Sequence, residues 1–526
     1  MGRFIKRGND GFRAVRNGEY IDKSQLIEIV NATLNTERQF TCVSRARRFG
    51  KSIGAEMLYA YYDQWYADRE LFVGLKIASS ASFARHFQSY PVLYLDMTNF
   101  VTKYPPDNVI EHIQSDVIEE LKKAYPEVDY GDNFNLADVL YTIVSQPYGR
   151  KFIVIIDEWD AILREYDEKI GVAEEYIKLL RGLFKSAEAM STFAGVYMTG
   201  ILPIKKYNTQ SALNNFHEYS VVQPGPMAEY FGFTSEEVRQ LCAKHNMDYK
   251  TLAEWYDGYK IGGSSEMFNP TSVRTALYNQ YCDSYWSNSG AYDTVANYIR
   301  MNFDGLRDDV IRLMAGYSCS VETSSFQNDL NVVRSKDDVL TLLIHLGYLS
   351  YDRDTKTCSI PNQEIALEFK NAVVSDNNWN VVATAIKQSE QLLNDTIAGK
   401  EEAVAHAIDM MHADNTSILQ YNDENSLACV LSIAYYTARR EYMMVRELPT
   451  GNGYADIVML PRPNCKRPAI VLELKYDHSA ETAITQIKKK RYTGKLQNYA
   501  GEVVLVGINY DKNTKQHDCK IEKIIM

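Results

Sequence analysis

The stretch Gln39-Phe40-Thr41-Cys42-Val43-Ser44-Arg45-Ala46-Arg47-Arg48-Phe49-Gly50-Lys51-Ser52 decides how the first half of the chain is read. Residues 39–43 are a short run that predicts a strand. After Ser52, Ile53, Met57, Ala60 and Tyr61 recur at helical spacing. Strand, loop, Gly-Lys-Ser, helix is the context a phosphate-binding loop requires. N–H groups at a helix N-terminus point at the anion, and the helix dipole favours negative charge there. Gly50 lets the backbone come close. Lys51 is placed on the β- and γ-phosphates of ATP and the Ser52 hydroxyl on Mg²⁺, with Arg48 in the same nucleotide-binding set. The usual pattern has a glycine five residues before Gly50, and Arg45 stands there instead. The match is therefore to Gly-Lys-Ser alone, which a basic surface turn also supplies.

Outward from this loop, residues 92–95, 152–156 and 194–198 are further short apolar runs separated by helical stretches. The alternation predicts an α/β fold, a parallel sheet with flanking helices. The run 152–156 is apolar throughout, as expected of a strand buried on both faces, and it ends in Asp157-Glu158-Trp159-Asp160. Open α/β sheets place their chemistry at such strand tips. Asp157 is assigned to the nucleotide and its magnesium shell, and Glu158 to orienting the attacking water. A carboxylate that merely ends a strand is the plainer alternative. Asp96 and Thr199, also at strand ends, are candidates for the γ-phosphate or simple turn residues.

With 526 residues, 45% hydrophobic and 24% charged, the chain has ordinary globular composition and needs several domains. The expected division is a P-loop domain over 1–225, a helical lid over 226–300, a helical linker over 301–400 and an α/β unit over 401–526. Within the linker, residues 335–348 predict an amphipathic helix, and 349–352 with 357–360 a hairpin. Together they make a winged-helix-like fragment or a small packing domain. The net charge of −11 argues against a generally basic nucleic-acid coat but leaves room for a local basic groove. The eight cysteines include no C-x-x-C pair, which fits free thiols in the cytoplasm. The N-terminus lacks an apolar signal region, and no run reaches the roughly 18 apolar residues of a membrane span, so no membrane role is expected.

The C-terminal unit carries a second cluster, read as helix, strand, strand, helix, strand. Ala455-Asp456-Ile457-Val458 begins one strand, and Ala469-Ile470-Val471-Leu472-Glu473-Leu474-Lys475 forms the next. Two strands joined by a short turn lie side by side, so Asp456 and Glu473 can converge. Alternation puts Glu473 and Lys475 on one face. Burying charge without partners is costly, and a bound Mg²⁺ gives the carboxylates a reason to be there. Lys475 then helps orient or deprotonate the attacking water. A surface ion-pair ladder is the plainer alternative. Gln486, Lys488 and Lys489, followed by Lys490, Arg491 and Tyr492, belong to the next helix and are candidates for nucleic-acid contact. Glu424, opening the helix with apolar face Leu427, Val430, Leu431 and Ala434, is a further candidate metal ligand.

These motifs resemble a bacterial family with an AAA-ATPase-like N-terminal domain and a C-terminal nuclease domain of the PD-(D/E)XK type. The resemblance runs through Tyr20-Ile21-Asp22-Lys23-Ser24, the basic loop Arg45 to Ser52, Asp157-Glu158-Trp159-Asp160 and Thr199-Gly200. It continues through Trp255-Tyr256-Asp257-Gly258-Tyr259, Asn269-Pro270, Leu346-Gly347-Tyr348-Leu349 and Ile360-Pro361-Asn362. It closes on Ala455 to Val458, Glu473-Leu474-Lys475 and Gln486-Ile487. It implies a restriction-endonuclease-like fold for the C-terminal unit, with Glu158, Asp456, Glu473 and Lys475 catalytic and Asp456, Glu473 and Glu424 on the metal. It further implies an ATPase coupled to a Mg²⁺-dependent nuclease acting on nucleic acid, DNA before RNA, in a chain able to form a homo-oligomer. The rival is a switch ATPase whose nuclease-like domain only binds nucleic acid or a protein. Arg47, Arg48, Arg164 and Arg181 are unranked candidates for an arginine finger, which a neighbouring subunit can also supply.

Overall fold

Strand β1, Phe40–Ser44, is the spine of a five-stranded sheet with β2, Val92–Asp96, β3, Phe152–Asp157, β4, Phe193–Gly200, and β5, His217–Tyr219. The order is β2-β3-β4-β1-β5, and every pair is parallel. The computed structural model describes residues 2–525 except 132–134, 167–169, 205–212, 263–265, 287–291, 302, 325, 327–332, 377–378, 413–423, 451–452, 463–464, 490–500 and 512. For 170, 292–294, 380–381, 412, 424–427, 446–450, 453–456 and 489 it describes the backbone alone. The chain forms two compact units, Met1–Trp286 with Ser320–Glu364, and Ser287–Cys319 with Ile365–Met526.

In the first unit, β1, β3 and β4 are buried along their whole length, as their apolar sequences require. The helix Lys51–Tyr62 packs on β3 and β4. Its spacing predicts one apolar face, yet nine of its residues are buried, including Tyr59, Tyr61 and Tyr62. A helix apolar on nearly all sides is an interior one. Across the sheet, Leu93, Val154 and Val196 pack with Val117, Leu121 and Leu180. The strand β5 is missed by the sequence reading because it has only three residues of intermediate burial at the sheet edge.

The rest of this unit is ordered by local caps. Thr234 and Glu237 form a capping box for Ser235–His245, and Asn269 with Pro270 starts Pro270–Asn279. Ser335 caps Lys336–Leu346, which leads into an antiparallel hairpin, Ser350–Asp352 with Thr357–Ser359. The expected amphipathic helix is in fact buried from Asp338 to His345, because other segments cover both of its sides. Gly347 ends it at φ +88°, and a Cβ there would lie 2.6 Å from the Ala46 Cβ and 3.0 Å from the Trp286 ring. Alanine at 347 is expected to cost roughly 2–5 kcal/mol, from the left-handed backbone and the overpacking together. Urea unfolding of the variant measures it, and an unchanged midpoint would contradict this account.

The second unit holds an antiparallel-parallel sheet. Its strands are β6, Tyr442–Thr450, β7, Gly453–Pro461, β8, Ala469–Tyr476, β9, Glu502–Asp511, and β10, Gln516–Ile525, paired in chain order. Only β8 and β9 run parallel, and the helix Ala480–Lys489 lies between them in the chain, as a parallel pair demands. Sequence reading expects fewer strands here. It misses β6 and β10, the two edges, whose charged and polar residues interrupt the apolar pattern. The helices Asn380–Ala398, Glu401–His412 and Glu424–Ala434 belong to the same unit. None of the eight cysteines is joined in a disulfide. Among the described residues no helix is long and apolar enough to cross a membrane.

Candidate functional site

The C-terminal tips of β1, β3 and β4 lie side by side, with Ser44 beside Gly200 and Asp96 beside Asp157 in register. The phosphate loop leaves β1 and turns at Gly50, whose φ of +91° is left-handed and needs glycine. Gly50 is the N-cap of Lys51–Tyr62, and nothing lies within 4 Å of where its Cβ would be. The loop therefore opens onto space at the positive end of a helix.

Lys51 is only 4% exposed. Its ammonium donates to the carbonyls of Arg45 (3.1 Å) and Ala46 (3.2 Å) and lies 3.4 Å from Glu158 Oε1. The other Glu158 oxygen accepts from Arg164 Nη2 at 2.7 Å, and Arg164 Nε reaches the wholly buried Asp160 at 3.0 Å. Burial alone would raise the Glu158 carboxyl, but Lys51 and Arg164 outweigh it and hold it below its ordinary value. Glu158 is thus an anion held between two cations, on a backbone at φ +50°. Asp157 sits behind it, accepting from the Thr199 hydroxyl, from the Glu158 N–H at 3.1 Å and from Tyr94 OH at 3.4 Å.

A cavity of about 580 Å³ opens in front of these groups. That is within the range of small-molecule sites. Its lining includes the charged or polar Arg47, Arg48, Lys51, Ser52 and Glu158 together with Tyr20, Ile21, Met57, Phe233 and Pro270. A lining that mixes cations with apolar and aromatic side chains fits a phosphorylated base. Of the sequence candidates, Asp157 and Thr199 are bonded to each other and do not line this cavity. Asp96 caps a helix through Thr98 N, 2.9 Å away. Arg47, Arg48 and Arg164 line the cavity, whereas Arg181 does not. Tyr20, Ile21, Met57 and Pro270 stand in motifs and spacings read from the sequence but gain no part in nucleotide binding there, because they come from segments distant in the chain.

Arg45, which stands in place of the usual glycine, turns away from the cavity. It is wholly buried and donates to the carbonyls of Ser44 (2.9 Å), Tyr219 (2.9 Å) and Met227 (3.3 Å). Its guanidinium also lies over Phe231, and burial brings its pKa down to about 10.

In the second unit, Glu473 on β8 is 1% exposed, with Lys475 Nζ at 3.4 Å. Gln486, from the helix Ala480–Lys489, donates to the same carboxylate oxygen. Ile457, the residue after Asp456, pairs with Leu472, the residue before Glu473. The side chains of Asp456, Glu424 and Lys489 lie outside the described ones, as do Lys490, Arg491 and Tyr492 altogether. Lys488 is ion-paired to Glu522 at 2.5 Å. Among the described residues no three acidic, histidine or cysteine side chains group around a metal position. Mg²⁺ needs only one or two carboxylates and keeps several waters, so Glu473 with Asp456 is a sufficient donor set in kind.

Residues 8–209 match the family model described as "Predicted AAA-ATPase", and residues 422–519 match the PD-(D/E)XK nuclease superfamily. No match is found among curated proteins. Among solved structures, the ORC2 protein of Aeropyrum pernix in ADPNP–ADP complexes aligns at 13% identity and TM-score 0.31, over 70% of this chain and 98% of that one. AMPPCP-bound DnaA from Aquifex aeolicus aligns at 9% and 0.27, over 79% and 92%. Cdc6p from Pyrobaculum aerophilum aligns at 10% and 0.24, over 70% and 98%. Overlaps this loose carry no functional weight.

Proposed function

We propose that this chain, which joins an AAA-ATPase-like domain to a PD-(D/E)XK nuclease-superfamily domain, binds and hydrolyses ATP and cuts nucleic acid. The observation that carries the first half is the buried Lys51 ammonium facing Glu158 on the wall of the cavity. A triphosphate entering there meets helix N–H groups, the Lys51 charge and the Ser52 hydroxyl. Lys51 exchanges two neutral carbonyls for phosphate oxygens, which charge-assisted bonds favour. Glu158, already anionic and fixed by Arg164, is placed to accept a proton from water. Ser52, on the cavity wall, would hold magnesium here, with Asp157 behind Glu158 reaching it only through a water, and Glu473 and Asp456 would hold it in the second domain. When bound, Mg²⁺ supplies Lewis-acid charge and an acidified water. Lys475 beside Glu473 offers a cation to a phosphodiester oxygen. In this reading the substrate is DNA rather than RNA, Gln486, Lys488 and Lys489 contact it, and the chain works in the cytoplasm, with an arginine supplied across a homo-oligomer.

Replacing Glu158 by glutamine tests the ATPase. Turnover is expected to fall about 100-fold or more, as for loss of a general base, while nucleotide affinity stays within about threefold. Equal turnover in the variant would remove Glu158 from the chemistry. A second reading, a nucleotide switch whose other domain only binds, draws on the pairing of Lys488 with Glu522, which occupies a cation expected to face phosphates. Calorimetric titration of Mg²⁺ separates the two: binding that depends on Glu473 supports the nuclease, and its absence supports the switch.

A further inference from the structure

Three sequence motifs have no role in the sites above beyond Pro270 on the cavity wall, and all three converge behind the phosphate loop. Asn269-Pro270 starts the helix that carries Thr271 and Ser272. In Leu346-Gly347-Tyr348-Leu349, the Gly347 carbonyl accepts from Tyr259 OH at 2.9 Å, and the Tyr259 ring stands edge-on to Phe49 of the loop at 5.1 Å. Ile360-Pro361-Asn362 is tied to the Asp257 carbonyl through Asn362 Nδ2 at 2.8 Å, and it leads directly into Glu364.

Glu364 is wholly buried, and it is not a surface charge that has folded inward by accident. Its Oε1 accepts the N–H groups of Tyr285 (2.8 Å) and Trp286 (3.0 Å). The Ser272 hydroxyl lies 2.9 Å from Oε2 and 3.0 Å from Oε1. Burial pushes the carboxyl up to about 7, against these donors and the Arg48 charge. Interring a carboxylate costs several kcal/mol even when it is well bonded, and here it meets that cost by satisfying two buried N–H groups and a hydroxyl. What the carboxylate does is hold two groups that in turn hold Arg48. Arg48 Nη1 donates to the Tyr285 carbonyl at 2.6 Å, and the Thr271 hydroxyl donates to the Arg48 carbonyl at 3.4 Å. Arg48 is a non-glycine residue at φ +69°, a conformation that persists only when its surroundings enforce it.

We infer that Glu364 is a positioning residue for the phosphate loop: through Tyr285 on one side and Ser272 with Thr271 on the other, it fixes the left-handed turn at Arg48 on which a nucleotide phosphate is bound. The inference rests on the nucleotide reading proposed above. Glu364 itself does not line the cavity, so this gives a role in ligand affinity to a residue one layer behind the cavity wall.

A double-mutant cycle on the full chain tests it, with a fluorescent ADP analogue as the probe. Arg48→Ala and Glu364→Ala are each expected to weaken binding about 10-fold or more, as for a lost buried bond to a charged group. If Glu364 acts through Arg48, the double variant is no weaker than Arg48→Ala alone. A merely structural role would lower the melting temperature without this non-additivity. Should Glu364→Ala fail to fold, Glu364→Gln and Ser272→Ala take its place in the cycle. The glutamine oxygen still accepts both N–H groups, so it is expected to lose only about threefold. Effects that multiply, or a Glu364 variant binding within twofold of wild type, overturn the inference and leave the nucleotide site standing. Failure of the wild type to bind the probe overturns both.

Discussion

Alanine at Lys51 is expected to raise the Kd for ATP at least about 100-fold, or ~2.7 kcal/mol. The size follows from where the ammonium sits. It is buried, and its present partners are two neutral carbonyls and one carboxylate. A triphosphate brings more negative charge than these partners, and hydrogen bonds to charged groups contribute roughly 1.5–3 kcal/mol each. The loss is double-edged, because Glu158 would then face the incoming anion with Arg164 as its remaining close cation. Stability falls as well, since two buried carbonyls lose a donor at about 1–3 kcal/mol apiece. Affinity is therefore measured below the melting temperature of the variant, with Lys51→Arg as the charge-preserving control. Unchanged affinity in a folded Lys51→Ala protein would end the phosphate-loop assignment.

The second large effect is expected at Glu473. With alanine there, Mg²⁺-dependent cutting of plasmid and single-stranded DNA drops by about 10³-fold or more, ~4 kcal/mol of barrier, while ATP affinity is unchanged. The carboxylate is the point on which Lys475 and Gln486 both converge, so its removal takes away a metal ligand and the partner that orients the lysine. Deleting one member of a buried ion pair destabilises by about 3–5 kcal/mol, so Glu473→Gln, which keeps the volume, is the companion variant. Cutting that survives both substitutions would place the chemistry elsewhere. No cutting by the wild type, with any divalent metal and with or without ATP, would favour the switch.

How much of this was legible in the sequence depends on the range of the interaction. The strand, Gly50 turn and helix around Lys51 are local, and β3 with its acidic tip is a contiguous apolar run, so both could be read. Glu473 and Lys475 share a face by alternation alone. The strands β5, β6 and β10 could not be read so readily, because an edge strand is defined by the neighbour it pairs with. Arg45 misled for a related reason. Its sequence position says that a glycine is absent, but only the carbonyls of Tyr219 and Met227, from a distant segment, show that the side chain points inward. The same holds for Glu364 and Arg48, which meet through Tyr285 and Ser272 and share no local pattern. Asp456 and Glu424 can be placed only by backbone, on β7 and at the start of Glu424–Ala434.

The inward Arg45 also changes the thermodynamics of ligand entry. A glycine-rich loop is floppy when empty, and a ligand that orders it forfeits part of its binding free energy as lost chain entropy. Here a guanidinium pegged to three carbonyls has already frozen the root of the loop when the protein folds. Nucleotide then docks onto a preformed surface, and its binding should carry a small entropic penalty and little change in backbone exchange at residues 44–47. Restoring the glycine that most phosphate loops have at this place would return that freedom to the empty state, so a substitution toward the common pattern is expected to weaken binding.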